Sequence, residues 1–198
     1  IGDVLRAQGN LPAAVKSYKA SLAIRDRLAK ADPGNAGWQR DLSVSHNKIG
    51  DVLRAQGNLP AARKSYKASL AIRDRLAKAD PGNAGWQRDL SVSHDRIGDV
   101  LRDQGNLPAA LESYKASLAI SDRLAKADPG NAGWQRDLAL SHGHVAMVLA
   151  RQGQRNRALG AFQQGREIIA RLKSRSPDNA TLPKDLAWFD GQIAALKK

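Results

Sequence analysis

The chain contains no cysteine, which excludes disulfides and thiolate metal sites and suits a reducing, cytoplasmic setting. It has a single methionine, and only 5% of its residues are aromatic. No apolar run approaches the length of a membrane span. No segment alternates apolar and polar residues as a half-buried strand would. Glycine-rich phosphate loops are missing, and no serine sits between glycines in the manner of an activated nucleophile. These absences leave an all-helical chain with no machinery for catalysis, no cofactor and no metal.

What is present is repetition. Ile1–Lys48 and Ile49–Arg96 differ at three positions, Val15/Arg63, Asn47/Asp95 and Lys48/Arg96. A third copy, Ile97–His144, departs from the second at eight positions, and a fourth, 145–177, keeps the register after wide drift. Near-identity at a fixed period marks a solenoid, in which each unit buries its apolar face on its neighbours. The chain opens at Ile1-Gly2-Asp3, a segment that falls late in the first helix of every later copy, so an array continuing beyond Ile1 is expected. Residues 178–198 are expected to form a capping helix with an apolar stripe of Leu182, Leu186, Phe189, Ile193 and Leu196.

Each copy reads as two helices. In the copy from Asn83, the residues Trp86, Leu90, His94, Ile97 and Leu101 recur every three or four positions and predict one buried helical face. Gly105 stops that helix, Asn106 caps the next, and Pro108 falls in its first turn, where a missing N–H costs nothing. Ala110, Tyr114, Ser117, Leu118 and Leu124 carry the stripe of the second helix, and Asp128-Pro129-Gly130-Asn131 breaks the chain again. Both helices should run about 20 residues, near 30 Å.

The register Ile49-Gly50-x-x-Leu53-x-x-x-Gly57-x-x-x-x-Ala62-x-x-x-Tyr66 resembles the tetratricopeptide repeat (TPR). Gly2, Gly9, Ala14 and Tyr18 match it in the first copy, Gly98, Gly105, Ala110 and Tyr114 in the third, and Ala146, Gly153, Ala158 and Phe162 in the fourth. The resemblance implies small residues where two helices cross, with the aromatic filling the space above them. It also implies a right-handed superhelical solenoid of antiparallel helix pairs, a single array over 1–198. A standard repeat of that family has 34 residues. The surplus here is about four helical turns, which whole turns added to both helices accommodate without changing the buried face.

The same resemblance places the first helices of successive repeats on a concave, partner-binding face. Opposite the buried stripe stand Arg40, Val44, Asn47, Lys48, Asp51 and Arg54 in one copy and Arg88, Val92, Asp95, Arg96, Asp99 and Arg102 in the next. In the last full copy Arg136, Leu140, His144 and Met147 hold those places, and the lining turns apolar. Some TPR domains hold a partner's C-terminal carboxylate with basic residues and asparagine at two of these positions. Here they hold Asn47/Asp51, Asp95/Asp99 and Gly143/Met147, and aspartate repels a carboxylate, so that clamp is not expected.

His46, His94 and His142 recur once per copy, too far apart to converge on one ion, and are read as packing residues. The net charge of +13 attracts anionic partners in general. A protein or peptide partner is expected, with acidic character and self-association through the repeat ends left open. Nucleic acid is the less favoured alternative, since the tryptophans and tyrosines are assigned to packing faces and leave little to stack on bases. A passive spacer is the third reading, and no membrane role is expected.

Overall fold

The computed structural model describes residues 1–197; Lys198, the last residue of the expected cap, lies outside the described residues. The punctuation read from the sequence sets the helix ends. Asn58 and Asn106 accept hydrogen bonds through Oδ1 from the Ala61 and Ala109 amides, both at 3.2 Å, with proline in the first turn. Asn35, Asn83 and Asn131 do the same for the Trp38, Trp86 and Trp134 amides at 3.0–3.1 Å. Gly57 and Gly105 follow helix ends with φ of 76° and 79°, the left-handed region that glycine enters without a Cβ clash.

Two compact units result, Ile1–Gln104 and Gly105–Lys198. The first holds α1 (Gly2–Ala7), α2 (Leu11–Ala31), α3 (Ala36–Ala55), α4 (Leu59–Ala79) and α5 (Ala84–Asp103). The second holds α6 (Leu107–Ala127), α7 (Ala132–Arg151), α8 (Arg155–Arg175) and α9 (Leu182–Lys197). The described residues form no strand, and none of their helices is long and apolar enough to cross a membrane. From α2 to α8 every helix has 20 or 21 residues, the lengthening expected from the long repeat.

Side-chain contacts fix the helix directions. A Cβ on Gly50 would lie 2.5 Å from the Tyr66 ring, while Arg73, further along α4, reaches back to Ser43 at 3.0 Å. Rising numbers on α4 thus meet falling numbers on α3, and the two are antiparallel. Gln87 donates to the Ala77 carbonyl at 3.0 Å and Arg73 to the Asp89 carbonyl at 2.8 Å, which makes α4 and α5 antiparallel as well. Between first helices the match runs the other way: Arg40 meets Asp89, and Arg54 meets Asp103, each 49 positions on, so α3 and α5 are parallel.

The core departs from the expected stripe in one respect. Trp86, Leu90 and His94 are only half-buried, whereas Gln87, Ser91, Ser93, Gly98 and Val100 are buried beside Ile97 and Leu101. A helix packed between neighbours on two sides buries a wider arc than one apolar row, and small polar residues occupy part of it. Arg73 lies in this layer at 5% exposure, held by Ser43, Ser93 and the Asp89 carbonyl, and burial pushes its pKa down.

In the second unit α9 packs on α7 and α8. Phe189 is fully buried, and its ring and that of Trp188 meet Phe162 edge-on at 6.4 and 5.8 Å. A Cβ on Gly165 would lie 2.5 Å from Phe189, and one on Gly143 would lie 2.8 Å from Trp188. The earlier copies carry Ser69 and Ser117 in place of Gly165, and Asn47 and Asp95 in place of Gly143. The last repeat is thus hollowed where α9 is bulky. Asn179 does not cap α9 as its counterparts cap α3, α5 and α7: its Oδ1 accepts from the Thr181 amide at 3.0 Å in a local turn, and the helix starts at Leu182.

Candidate binding surface

The face formed by α3 and α5 in the first unit is a lattice of inter-repeat ion pairs. Arg40 meets Asp89 at 2.6 Å. Arg54 meets Asp99 at 2.9 Å and Asp103 at 2.6 Å, and Arg102 lies 3.5 Å from Asp99. Lys48 reaches Asp3 at 2.6 Å, and Asp51 is approached by Arg96 at 3.5 Å and Arg6 at 3.8 Å. Tyr18 and Tyr66 donate to Asp3 and Asp51 at 2.7 and 2.8 Å, tying the lattice to the helix crossings.

These contacts shift the groups involved. The hydrogen bond from Lys48, then that from Tyr18, holds the Asp3 carboxyl below its ordinary range. Burial and then Asp3 push the Tyr18 phenol up to about 12, and burial with Asp51 raises Tyr66 as well. For Asp103 burial acts upward, but the Arg54 hydrogen bond and charge, with those of Arg102, prevail and lower it.

Most of the expected site residues are therefore partly covered. Arg40 and Arg88 are exposed; Val44, Lys48, Asp51, Arg54, Val92, Asp95, Arg96, Asp99 and Arg102 are half-buried. Asn47, placed by the sequence on the open face, is buried at 9% exposure, and its Oδ1 has no hydrogen-bond partner. The reason is register: the same position in the last full copy, Gly143, faces Trp188 of α9 and is covered by it.

In the second unit Arg136 grips Asp185 of α9 with two hydrogen bonds, at 2.6 and 3.1 Å. Next to this pair Leu140, His144 and Met147, all half-buried, join Asp185 and Trp188 around a cavity of about 240 Å³. The His144 ring lies 5.0 Å from Tyr114. The three α7 residues are candidates of the sequence pattern; Asp185 and Trp188 of α9 join them only in the structure. Asp185 was legible in hindsight, because it continues the column of Asp41, Asp89 and Asp137. Trp188 gave no such signal, since it stands where the other copies have valine or leucine. No group of His, Asp or Glu among the described residues could hold a metal ion.

The tetratricopeptide-repeat family model matches residues 45–81, the span from Ser45 across the α3–α4 crossing to Pro81. The chain has a TPR-like repeat fold. Solved structures agree on the fold of this TPR-like chain. BtubC (BKLC) from P. vanneervenii superposes with a TM-score of 0.69 at 20% identity, over 94% of this chain and 65% of that one. A putative kinesin light chain from Podosopora anserina with nearly identical TPR-like repeats gives 0.66 at 16% identity, over 99% and 86%. The apo form of RapI gives 0.63 at 14%, over 98% of this chain and 47% of that chain. The chain thus spans just under two thirds of BtubC and about half of RapI. No curated protein matches it. TPR-like folds generally mediate protein–protein interaction.

Proposed function

We propose that this chain is a non-enzymatic interaction scaffold that receives a protein or peptide on the face of its first helices, and that α7 and α9 provide the anchoring site. The observation that carries this reading is the cavity among Leu140, His144, Met147, Asp185 and Trp188. On α3 and α5 the cations already meet aspartates of the neighbouring copies. An acidic ligand there would have to displace them. At α7 the lining is apolar, and a thioether beside an indole forms an adaptable socket for one hydrophobic side chain. Asp185 at its edge, already paired with Arg136, disfavours a carboxylate at that point. The partner is accordingly a polypeptide with an apolar anchor.

The test is selection of displayed peptides against the chain, read by the Trp188 indole N–H in NMR spectra. Selected peptides should carry one large apolar residue, shift that resonance, and lose at least about tenfold in affinity with Met147→Glu. Met147 touches the core as well as the cavity, so circular dichroism of the variant must stay helical for the comparison to count. Peptides that bind the variant equally and leave the indole unmoved would falsify this placement.

A further inference from the structure

The positive charge of the first unit is not on the face of its first helices. In α3 and α5 together six Lys/Arg face six Asp, whereas in α2 and α4 eleven Lys/Arg stand against two Asp. The excess is thus carried by the second helices. On α4 the exposed row is Lys64, Lys67, Ala71, Arg75 and Lys78, at offsets that keep one helical face, and it runs about 21 Å. On α2 Lys16, Lys19, Ala23, Arg27 and Lys30 repeat it. Lys30 and Lys78 are paired with the in-helix Asp26 and Asp74 at 2.6 and 2.7 Å. Lys64, Lys67 and Arg75 have no carboxylate partner among the described residues.

This cationic row borders an apolar hollow. Lys67, Leu70, Ala71, Asp74 and His94 line an open depression of about 380 Å³, with Leu70 and His94 half-buried and Ala71 exposed at its rim. We infer that the outer face of α4 docks an acidic amphipathic helix of a protein partner, its carboxylates at Lys64, Lys67 and Arg75 and one apolar side chain in the hollow beside Ala71. Charge complementarity selects an anionic partner. The hollow selects among anionic partners. A membrane-binding helix presents large apolar side chains for insertion, and the α4 row offers only alanine. Single-stranded nucleic acid needs exposed rings on which bases stack, and the row has none. A hollow receives a protruding side chain, and alanine lets a second helix approach closely. In the third copy Glu112 stands in place of Lys64 and Leu111 in place of Arg63, so this face is a property of the earlier copies.

The test uses the full chain and a fluorescein-labelled, helix-forming peptide of about 16 residues with glutamates in its first and last turns and one central leucine. Anisotropy is measured at about 150 mM salt, with a duplex DNA oligomer and phosphatidylserine-containing vesicles as competing probes. The peptide should bind, and its affinity should drop by at least about tenfold with Lys67→Glu/Arg75→Glu and again when its leucine is replaced by alanine. Met147→Glu, in the other unit, should leave this binding unchanged, which separates it from the site on α7. Both substituted side chains are exposed, so the double variant should keep its helicity and melting temperature. Undiminished binding by the double variant, indifference to the leucine, loss with Met147→Glu, or preference for DNA or vesicles over the peptide each overturns the assignment.

Discussion

Gly50 shows how one residue fixes a helix crossing. Any Cβ there would enter the Tyr66 ring, whose hydroxyl is also held by Asp51 at 2.8 Å, so the ring has little room to retreat. Gly50→Leu should cost about 1–3 kcal/mol or more, read as a lowered denaturation midpoint; an unchanged midpoint would remove the tight crossing from this account. The histidines act through a different term. Burial lowers the pKa of His46, His94 and His142, so the fold favours their neutral form. The unfolded chain therefore takes up protons first as pH falls, and the stability contributed above an ordinary histidine pKa of about 6.5 is lost below it. The melting temperature should decline between about pH 7 and pH 5, and the variant His46→Gln/His94→Gln/His142→Gln should decline less steeply over that window. Parallel slopes would show that other groups carry the effect; the lowered aspartates Asp3 and Asp103 titrate in a more acid range and do not confuse the two.

At the scale of the element, α9 is matched to the helices that receive it. Its Trp188 and Phe189 stand where continuing copies carry valine or leucine and then serine, and Gly143 and Gly165 replace larger residues at the contact. Each change alone would overpack or leave a void; together they form one interlocked seat. Arg136–Asp185 and Arg166–Asp190 pair α9 to α7 and α8 at its edges. Phe189→Ala should therefore cost about 3–5 kcal/mol, and hydrogen exchange should locate the loss in α9 and its neighbours α7 and α8, with α2–α5 still protected. Gly165→Ser, which restores the residue of the earlier copies, should loosen α9 in the same assay, since the Ala139 carbonyl lies 2.8 Å from the added Cβ and cannot yield as a side chain would. Uniform deprotection along the chain would mean that α9 is not a separable seat.

For the molecule as a whole, near-identity of copies makes the register portable. The junction between Arg96 and Ile97 has the same chemistry as that between Lys48 and Ile49, so excision of Ile49–Arg96 joins compatible helix segments. In a nearest-neighbour array stability is a sum of repeat and interface contributions, so the shortened chain should stay folded and helical but less stable. Its denaturant slope should fall by about a quarter, in step with the surface buried. Loss of cooperative folding on excision would contradict the modular picture. Charge also acts at this scale: the net +13 attracts anions at long range, but the face each anion meets depends on which helices carry unpaired cations.

The helices, their ends and their pairing follow from local chemistry along the chain. The signals involved are local, namely an asparagine oxygen three residues from an amide, a glycine free to take positive φ, and a glycine and a tyrosine spaced to meet across one crossing. Repetition then multiplied those local rules along the chain. Tertiary structure alone decided which charged side chains remain available. Arg40, Lys48 and Arg54 read as an open lining in one copy, yet each finds an aspartate about one repeat away, a relation that appears only when parallel first helices lie side by side. Asn47 is likewise buried, and Trp188 joins the α7 cavity because α9 docks over Gly143 and Gly165. Periodicity states which face of a helix is apolar; how far the polar face is covered depends on the neighbours that pack beside it, and those are set by three-dimensional proximity and not by spacing along the chain.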